Sequence, residues 1–339
     1  METVDNAAKQ YAAISVVIPM FNAAHMIEEC LAPLLDMQRE GTLTEIIVVN
    51  DASTDRGSAL VEEIQAVKLL HTERQSGPAL ARNIGAKQAS GDYLWFVDAD
   101  VILSADAAAV AQKALRETGA SAIIGAYDTQ PRAQNFFSQY KNLVHHYYHN
   151  RSSSEVDTFW SGCGLVQRDA FLDIGGFDVE RYPYPSVEDI ELGYRLGANG
   201  HQIRLVKNLN GKHLKEWRLK GLLHTEIFRR AIPWSHLLVT KGHLANQLNI
   251  AIGERLRALL GGLWLTAVLF SLFTQSNLLP LIIVSALMLL ANGPLITFFI
   301  SRKGPLFAIL AVAFHQIYYA YSSFAFGFVW VQHKLGLIK

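Results

Sequence analysis

No aspartate or glutamate follows Glu254, and the chain beyond it carries three long apolar segments. That asymmetry divides the chain between two solvents. Leu256 to Thr274, Leu278 to Ile300 and Pro305 to Val331 each approach or exceed the roughly 20 residues needed to cross a bilayer, and they are expected to be transmembrane helices. Asn292, Gly293 and Pro294 interrupt the second, which a spanning helix tolerates better than a soluble one. The 30 basic and 30 acidic residues cancel overall, so their distribution carries the information. From Lys212 to Arg257 there are nine Lys or Arg against three Glu, interleaved with Trp217, Leu222, Phe228, Trp234 and Leu237. This composition predicts interfacial helices lying in the lipid headgroup plane, with no fold to support nucleic-acid binding. The expected domains are therefore a catalytic region over 1–211, an interface over 212–255 and a membrane region over 256–339.

The opening residues hold Glu2 and Asp5 and lack a basic start followed by an apolar stretch, which predicts a soluble region that stays in the cytosol. Arg302 and Lys303 sit between the second and third apolar segments, whereas the Gln275-Ser276-Asn277 turn carries no charge. The positive-inside bias then places the Arg302 loop on the cytosolic side of a multi-pass inner-membrane protein. Three full spans would put Lys334 and Lys339 outside, against the same bias. Cys30 and Cys163 have no metal-ligand spacing and read as free thiols in a reducing compartment.

From Ile14 the soluble part alternates apolar runs with amphipathic stretches. Strands are expected at 14–19, 45–51, 67–73, 93–100 and 121–127, and helices at 25–37, 55–66, 77–89 and 105–119. Such alternation predicts an α/β fold with a largely parallel sheet covered by helices on both faces. Three of these strands end in polar groups: Pro19, Phe21 and Asn22; then Asp51, Ser53 and Asp55; then Asp98 and Asp100. Loops at the carboxyl ends of parallel strands share one edge, where ligands collect. Asp98 and Asp100 share a face if the chain stays extended, and two converging carboxylates suit a hard cation such as Mg²⁺ or Mn²⁺. No Gly-x-Gly-x-x-Gly follows the first strand and no phosphate-loop motif occurs, which argues against dinucleotide binding and phosphate-loop ATPases. Glu188 and Asp189 open a further helix, where acidic residues are favourable for structural reasons alone. Neighbours on a helix diverge by about 100°, so one of the two can aim at a ligand.

The motifs VVIPMFNA (16–23), VVNDASTD (48–55), GPALARNIGAKQASGDYLWFVDADV (77–101), GCGLVQRDAFLDIGGFD (162–178), VEDIELGYRL (187–196) and GKHLKEW (211–217) occur in this order. In that order they resemble the inverting family 2 glycosyltransferases, over about residues 14 to 217. The resemblance implies a Rossmann-like, type A nucleotide-sugar-binding fold and transfer from a UDP- or GDP-linked sugar. By the family pattern, Pro19, Phe21, Asn22, Asp51, Ser53, Arg82, Asp98, Ala99 and Asp100 would bind the nucleotide sugar, with Asp51 reading the base edge. Asp100 would ligate Mg²⁺ or Mn²⁺ with help from His213. Asp189, in the acidic pair with Glu188, would be the general base. Trp160, Gly162, Cys163 and Trp217 would line the donor sugar and acceptor.

The chain departs from the processive synthases of this group, which carry a Gln-x-x-Arg-Trp motif. Its nearest echo, EIFRR at 226–230, lacks both Gln and Trp, so single-sugar transfer is expected. The basic junction makes a lipid-linked acceptor or cell-envelope glycan precursor the expected acceptor, with membrane lipid as a partner. A polyprenyl-phosphate acceptor needs no strong base and is disfavoured by the Glu188-Asp189 pair. A non-catalytic membrane scaffold is the remaining alternative, against which intact Asp98, Asp100 and Asp189 argue.

Overall fold

The computed structural model describes residues 12–241, 251–274 and 278–338. The opening residues read above for a signal peptide, the Gln275–Asn277 turn and Lys339 lie outside the described residues. The chain divides into two compact units: residues up to Tyr127 with Ser154–Leu214, and Asp128–Ser153 with Lys215 onward. The segment 128–153, expected within the region over 1–211, groups here with the C-terminal part.

The first unit contains a sheet of nine strands among the described residues. Strands β1 (Ile14–Met20), β2 (Glu45–Asn50), β3 (Val67–His71) and β4 (Tyr93–Val97) are mutually parallel in the order β3-β2-β1-β4. Beyond β4 the sheet becomes mixed. Strand β8 (Cys163–Gln167) lies antiparallel between β4 and β6 (Ala122–Tyr127). Strand β9 (Ile203–His213) runs parallel to β6 and antiparallel to both β5 (Val101–Leu103) and β7 (Glu155–Val156).

Side chains alternate between the two faces, so each strand feeds two cores. Val16, Ile18, Val48 and Trp95 point to one core, shared with Leu31 and Leu34 of α1 (Ile27–Arg39) and Ala111 of α4 (Ala107–Thr118). Val17, Val49, Leu94 and Phe96 point to the other, shared with Ala79 of α3 (Pro78–Gln88), Phe171 of α6 (Arg168–Asp173) and Leu192 of α7 (Glu188–Ala198). The helix expected over 55–66 forms only as α2 (Gly57–Glu62).

In the second unit, α5 (Phe136–Arg151) presents Tyr140, Leu143 and Tyr147 at helical spacing. They pack with Leu295 and Phe299 of α12 (Gly293–Lys303) and Val312 of α13 (Pro305–Lys334). This shared aromatic core is why 128–153 departs from the sheet unit. The remaining elements are α8 (Leu219–His224), a π-helical turn (Thr225–Ala231), α9 (Ile232–Lys241), α10 (Ile252–Thr274) and α11 (Leu279–Ala291).

Among the described residues, Ile252–Phe273 is the one helix long and apolar enough to cross a membrane. Helices α11 and α12 reach that standard only as a pair, and they are bent by 66° at Asn292. Tyr319 donates to Asn292 Oδ1 at 3.2 Å, and Arg257 Nε donates to the Ala291 carbonyl at 2.7 Å, so the break is held by its neighbours. Helix α13 falls short because His315, Gln316, Tyr318, Tyr319 and Tyr321 dilute it. The three expected spans therefore reduce to one, or two if the bent pair counts as one.

Candidate active site

The carboxyl edge of the parallel strands gathers the expected polar groups. Strand β4 ends at Val97, and Asp98 to Asp100 form a turn closed by the Val101 N–H on the Asp98 carbonyl at 3.0 Å. This corrects the extended reading of that stretch: the two carboxylates go to different partners. Asp98 Oδ1 accepts from Arg82 Nη2 at 2.6 Å. Asp100 Oδ2 lies 3.6 Å from His213 Nε2. The second approach follows from strand pairing, since Val101 of β5 sits opposite His213 of β9. Ala99, between the two aspartates, is buried.

Arg82 lies on α3 with its guanidinium buried beneath the edge. Besides Asp98 it holds Glu188 Oε1 at 3.4 Å, and it rests 5.5 Å from the Phe177 ring centroid. Burial alone would weaken its hold on the proton, but the charges of Asp98, Glu188 and Asp189 outweigh that and raise its pKa further. Its exposure is 3%, so its role is to bind carboxylates rather than to present an open surface.

Glu188 and Asp189 divide their tasks by burial. Glu188 is 5% exposed, and its Oε2 accepts from the Ser186 N–H at 2.7 Å. Desolvation raises its pKa, Asp189 adds to that, and Arg82 opposes both. Asp189 is half-buried; its Oδ2 accepts from the Ser161 N–H and hydroxyl, each at 3.3 Å. Ser161 was not among the residues singled out in the sequence, because a serine two positions before a strand carries no pattern of its own.

Asp51 is 3% exposed and accepts from Thr72 Oγ1 at 3.0 Å, the Ser76 N–H at 2.9 Å and the Gly77 N–H at 2.8 Å. As placed, it clamps the loop before α3. Gly77 there has φ +88, and a Cβ would lie 2.6 Å from the Pro183 carbonyl oxygen, so the position needs glycine. Asn22, also at positive φ, accepts from the N–H of Thr54 at 2.8 Å, while its own N–H donates to Ser53 Oγ at 3.0 Å. These bonds tie the β1 loop to the β2 loop. Phe21 beside them is 42% exposed, and Pro19 sits just past the last β1–β4 pair, Val17 with Phe96.

Trp160 and His213 are joined through Tyr127, a residue the sequence reading missed. Its ring stacks on His213 with centroids 4.4 Å apart and meets Trp160 edge-on at 4.8 Å. Gly162 lies under Trp160, where a Cβ would approach the indole to 2.7 Å. Cys163 does not reach the cleft. It is fully buried in β8 opposite Val97, and burial pushes its thiol up to about 12. That corrects its expected place beside a sugar. Trp217 belongs to the second unit, where its N–H donates to Ser138 Oγ at 2.7 Å and Lys215 Nζ sits 4.3 Å from its ring centroid.

Among the described residues, no group of three or more His, Cys, Asp and Glu converges to hold an ion unaided. Asp100 and His213 offer one oxygen and one nitrogen. A carboxylate oxygen and an imidazole nitrogen could together contribute to holding a Mg²⁺ or Mn²⁺.

Residues 15–175 match the family described as glycosyl transferase family 2. The chain is 33% identical over 118 residues to glycosyltransferase GlyG of Streptococcus pneumoniae, 34% of this chain and 38% of that protein. It is 27% identical over 203 residues to the poly-beta-1,6-N-acetyl-D-glucosamine synthase of Staphylococcus aureus, 56% of this chain and 47% of that protein. It thus spans less than half the length of either relative. A mannosyltransferase of Pyrobaculum calidifontis, solved with GDP-Man and Mn²⁺, superposes with TM-score 0.55 at 18% identity, covering 91% of this chain and 88% of that one. S. aureus TarS 1-349, solved with UDP-GlcNAc, gives TM-score 0.53 at 16% identity, covering 96% and 92%. The sheet unit has the type A glycosyltransferase fold. Residues 15–175 are thus similar to glycosyl transferase family 2.

Proposed function

We propose that this protein is an inverting glycosyltransferase that moves a single sugar from a UDP- or GDP-linked donor to a hydroxyl acceptor. The observation that carries the reading is the division of labour in the acidic pair. Arg82 engages buried Glu188, whereas half-buried Asp189 stands beside Ser161. In this reading Asp189 takes the proton of the acceptor hydroxyl while that oxygen attacks the anomeric carbon. The bond to the nucleoside diphosphate breaks on the opposite face, and the single displacement inverts the configuration. Asp98, fixed by Arg82, borders the nucleotide with the Asn22 and Ser53 loops. Asp51 acts behind them by holding the 72–77 loop in shape. Trp160, braced by Tyr127 and Gly162, offers an apolar face for the sugar.

Asp100 and His213 would hold Mg²⁺ or Mn²⁺, which when bound supplies positive charge to the departing diphosphate. The structures of the Pyrobaculum enzyme and of TarS, solved with their nucleotide sugars, support a donor of that class without choosing its base. The long apolar helix Ile252–Phe273, of whose most apolar stretch 6% is buried within the chain, supports a membrane anchor. With the basic belt before it, this favours a catalytic unit on the cytosolic face of the inner membrane. The acceptor is then a lipid-linked or cell-envelope glycan precursor. The test is transfer from a panel of labelled nucleotide sugars by membranes carrying the protein, with Asp189→Asn membranes as control. Asp189-dependent label in the organic extract supports a lipid acceptor, and label confined to the aqueous fraction rejects it.

A further inference from the structure

Residues 174–177, Ile-Gly-Gly-Phe, join α6 to the loop that leads into Glu188 and Asp189, and side chains from two other helices grip their backbone. Asn83 of α3 holds Phe177 on both sides. Its Oδ1 accepts from the Phe177 N–H at 2.9 Å, and its Nδ2 donates to the Phe177 carbonyl at 2.8 Å. That double bond to one peptide unit suits a carboxamide, which offers a donor and an acceptor side by side. Arg195 of α7 donates to the Ile174 carbonyl at 2.8 Å and to the Gly176 carbonyl at 2.7 Å. Gly176, at φ +69, leaves the room, since a Cβ there would lie 2.6 Å from Asn83 Oδ1. The stretch is thus pinned to α3 and to α7, the helices that carry Arg82 and Asp189.

The pin reaches the site through one ring. Phe177 is buried, and its ring packs on Phe96 and Phe171 with centroids 5.3 and 5.4 Å away. The Arg82 guanidinium rests 5.5 Å from the same ring centroid, where the aromatic face attracts it. Arg82 reaches Asp98 at 2.6 Å but Glu188 only at 3.4 Å. A guanidinium that loses the ring beside it keeps the shorter contact and gives up the longer one. The start of α7 is then released, and Asp189 with it, while Asp98 stays held.

We infer that Asn83 is a positioning residue for the transfer reaction: by locking the Phe177 backbone it holds the ring against Arg82 and so fixes Asp189 at the start of α7. The inference rests on the catalytic reading proposed above. Because Asn83 acts through Phe177 and Arg82, its loss should lower turnover and spare donor binding. A lock that served only the fold would lower the unfolding midpoint and leave the turnover of folded molecules intact.

The experiment compares Asn83→Ala, Phe177→Leu and the double variant with the native full chain. Turnover is read with the labelled nucleotide-sugar panel, and the Kd of UDP and of GDP is read with Mn²⁺ present. Asn83→Ala should lose about 10–100-fold in turnover, the scale of a misplacement of about 1 Å, with an unchanged Kd for the nucleotide that binds. Phe177→Leu keeps the lock and removes the ring, so it should show the same signature. The double variant should be no worse than the stronger single one. Native turnover in folded Asn83→Ala, losses that multiply in the double variant, or a Kd that rises in step with the loss each overturns the inference. If Asn83→Ala does not fold, Phe177→Leu decides by the same two readouts. Should the native chain transfer no sugar from any donor, the catalytic reading fails by itself. Hydrogen exchange then decides the lock: residues 178–189 should exchange about tenfold faster in Asn83→Ala, and unchanged protection there overturns it.

Discussion

Arg82 Nη2 lies 2.6 Å from Asp98 Oδ1, and this ion pair ties α3 to the turn that follows β4. The same guanidinium holds Glu188 at the start of α7, so one cation organises acidic groups from two separate elements. Replacing it leaves Glu188 buried without its cation. Arg82→Met should cost about 2–4 kcal/mol, somewhat below a fully buried pair because Asp98 is 32% exposed. Denaturant midpoints of the purified chain measure it. A loss under about 0.5 kcal/mol, typical of a surface pair, would contradict the arrangement.

Glu188 sets a pH dependence of stability. Its folded-state pKa is raised, so between the unfolded value near 4.5 and the raised one the native protein binds more protons than the unfolded chain. Its contribution therefore declines as pH rises through that window. Glu188→Gln should flatten this slope, read as thermal midpoints collected from about pH 4 upwards. An unchanged slope would mean that other groups produce it.

Tyr127 braces His213 by stacking at 4.4 Å, and His213 lies beside Asp100. Tyr127→Leu should raise the Mn²⁺ concentration for half-maximal transfer by about tenfold, as is usual when the support of a ligand is lost. His213→Ala should raise it more, and Asp100→Ala should abolish transfer. Donor titrations against added Mn²⁺ provide the readout. Identical metal dependence in all three variants would place the ion elsewhere.

The alternation of strand and helix over 14–127 was legible because parallel strands buried on both faces read as apolar runs. The acidic pair, Asp98 and Asp100 were legible as residues, but their partners were not. Arg82 reaches Glu188 across 106 positions, and Asp100 meets His213 only because β5 pairs with the far end of β9. Cys163 was misplaced because its neighbours Gly162 and Gly164 read as a ligand loop, whereas the pairing of β8 with β4 buries it. The third apolar segment misled by length: its tyrosines, His315 and Gln316 serve a polar network inside the second unit, with Tyr140 Oη 2.7 Å from His315 Nδ1.

Asp51 separates two roles by two readouts. With three protein donors on its carboxylate, Asp51→Ala should lower stability by about 1–3 kcal/mol as well as weaken donor binding. A variant that loses donor affinity while keeping its full unfolding midpoint would make Asp51 a reader of the base alone.

The central claim is that Asp189 takes the proton from the acceptor, and Asp189→Asn tests it most directly. Asparagine keeps the shape and an oxygen for Ser161 but cannot act as the base. Turnover should fall by about 10²–10⁴, while titration of the donor nucleotide sugar gives an unchanged Kd. A variant that turns over within a few-fold of the native chain, or that loses donor binding along with turnover, would contradict the account.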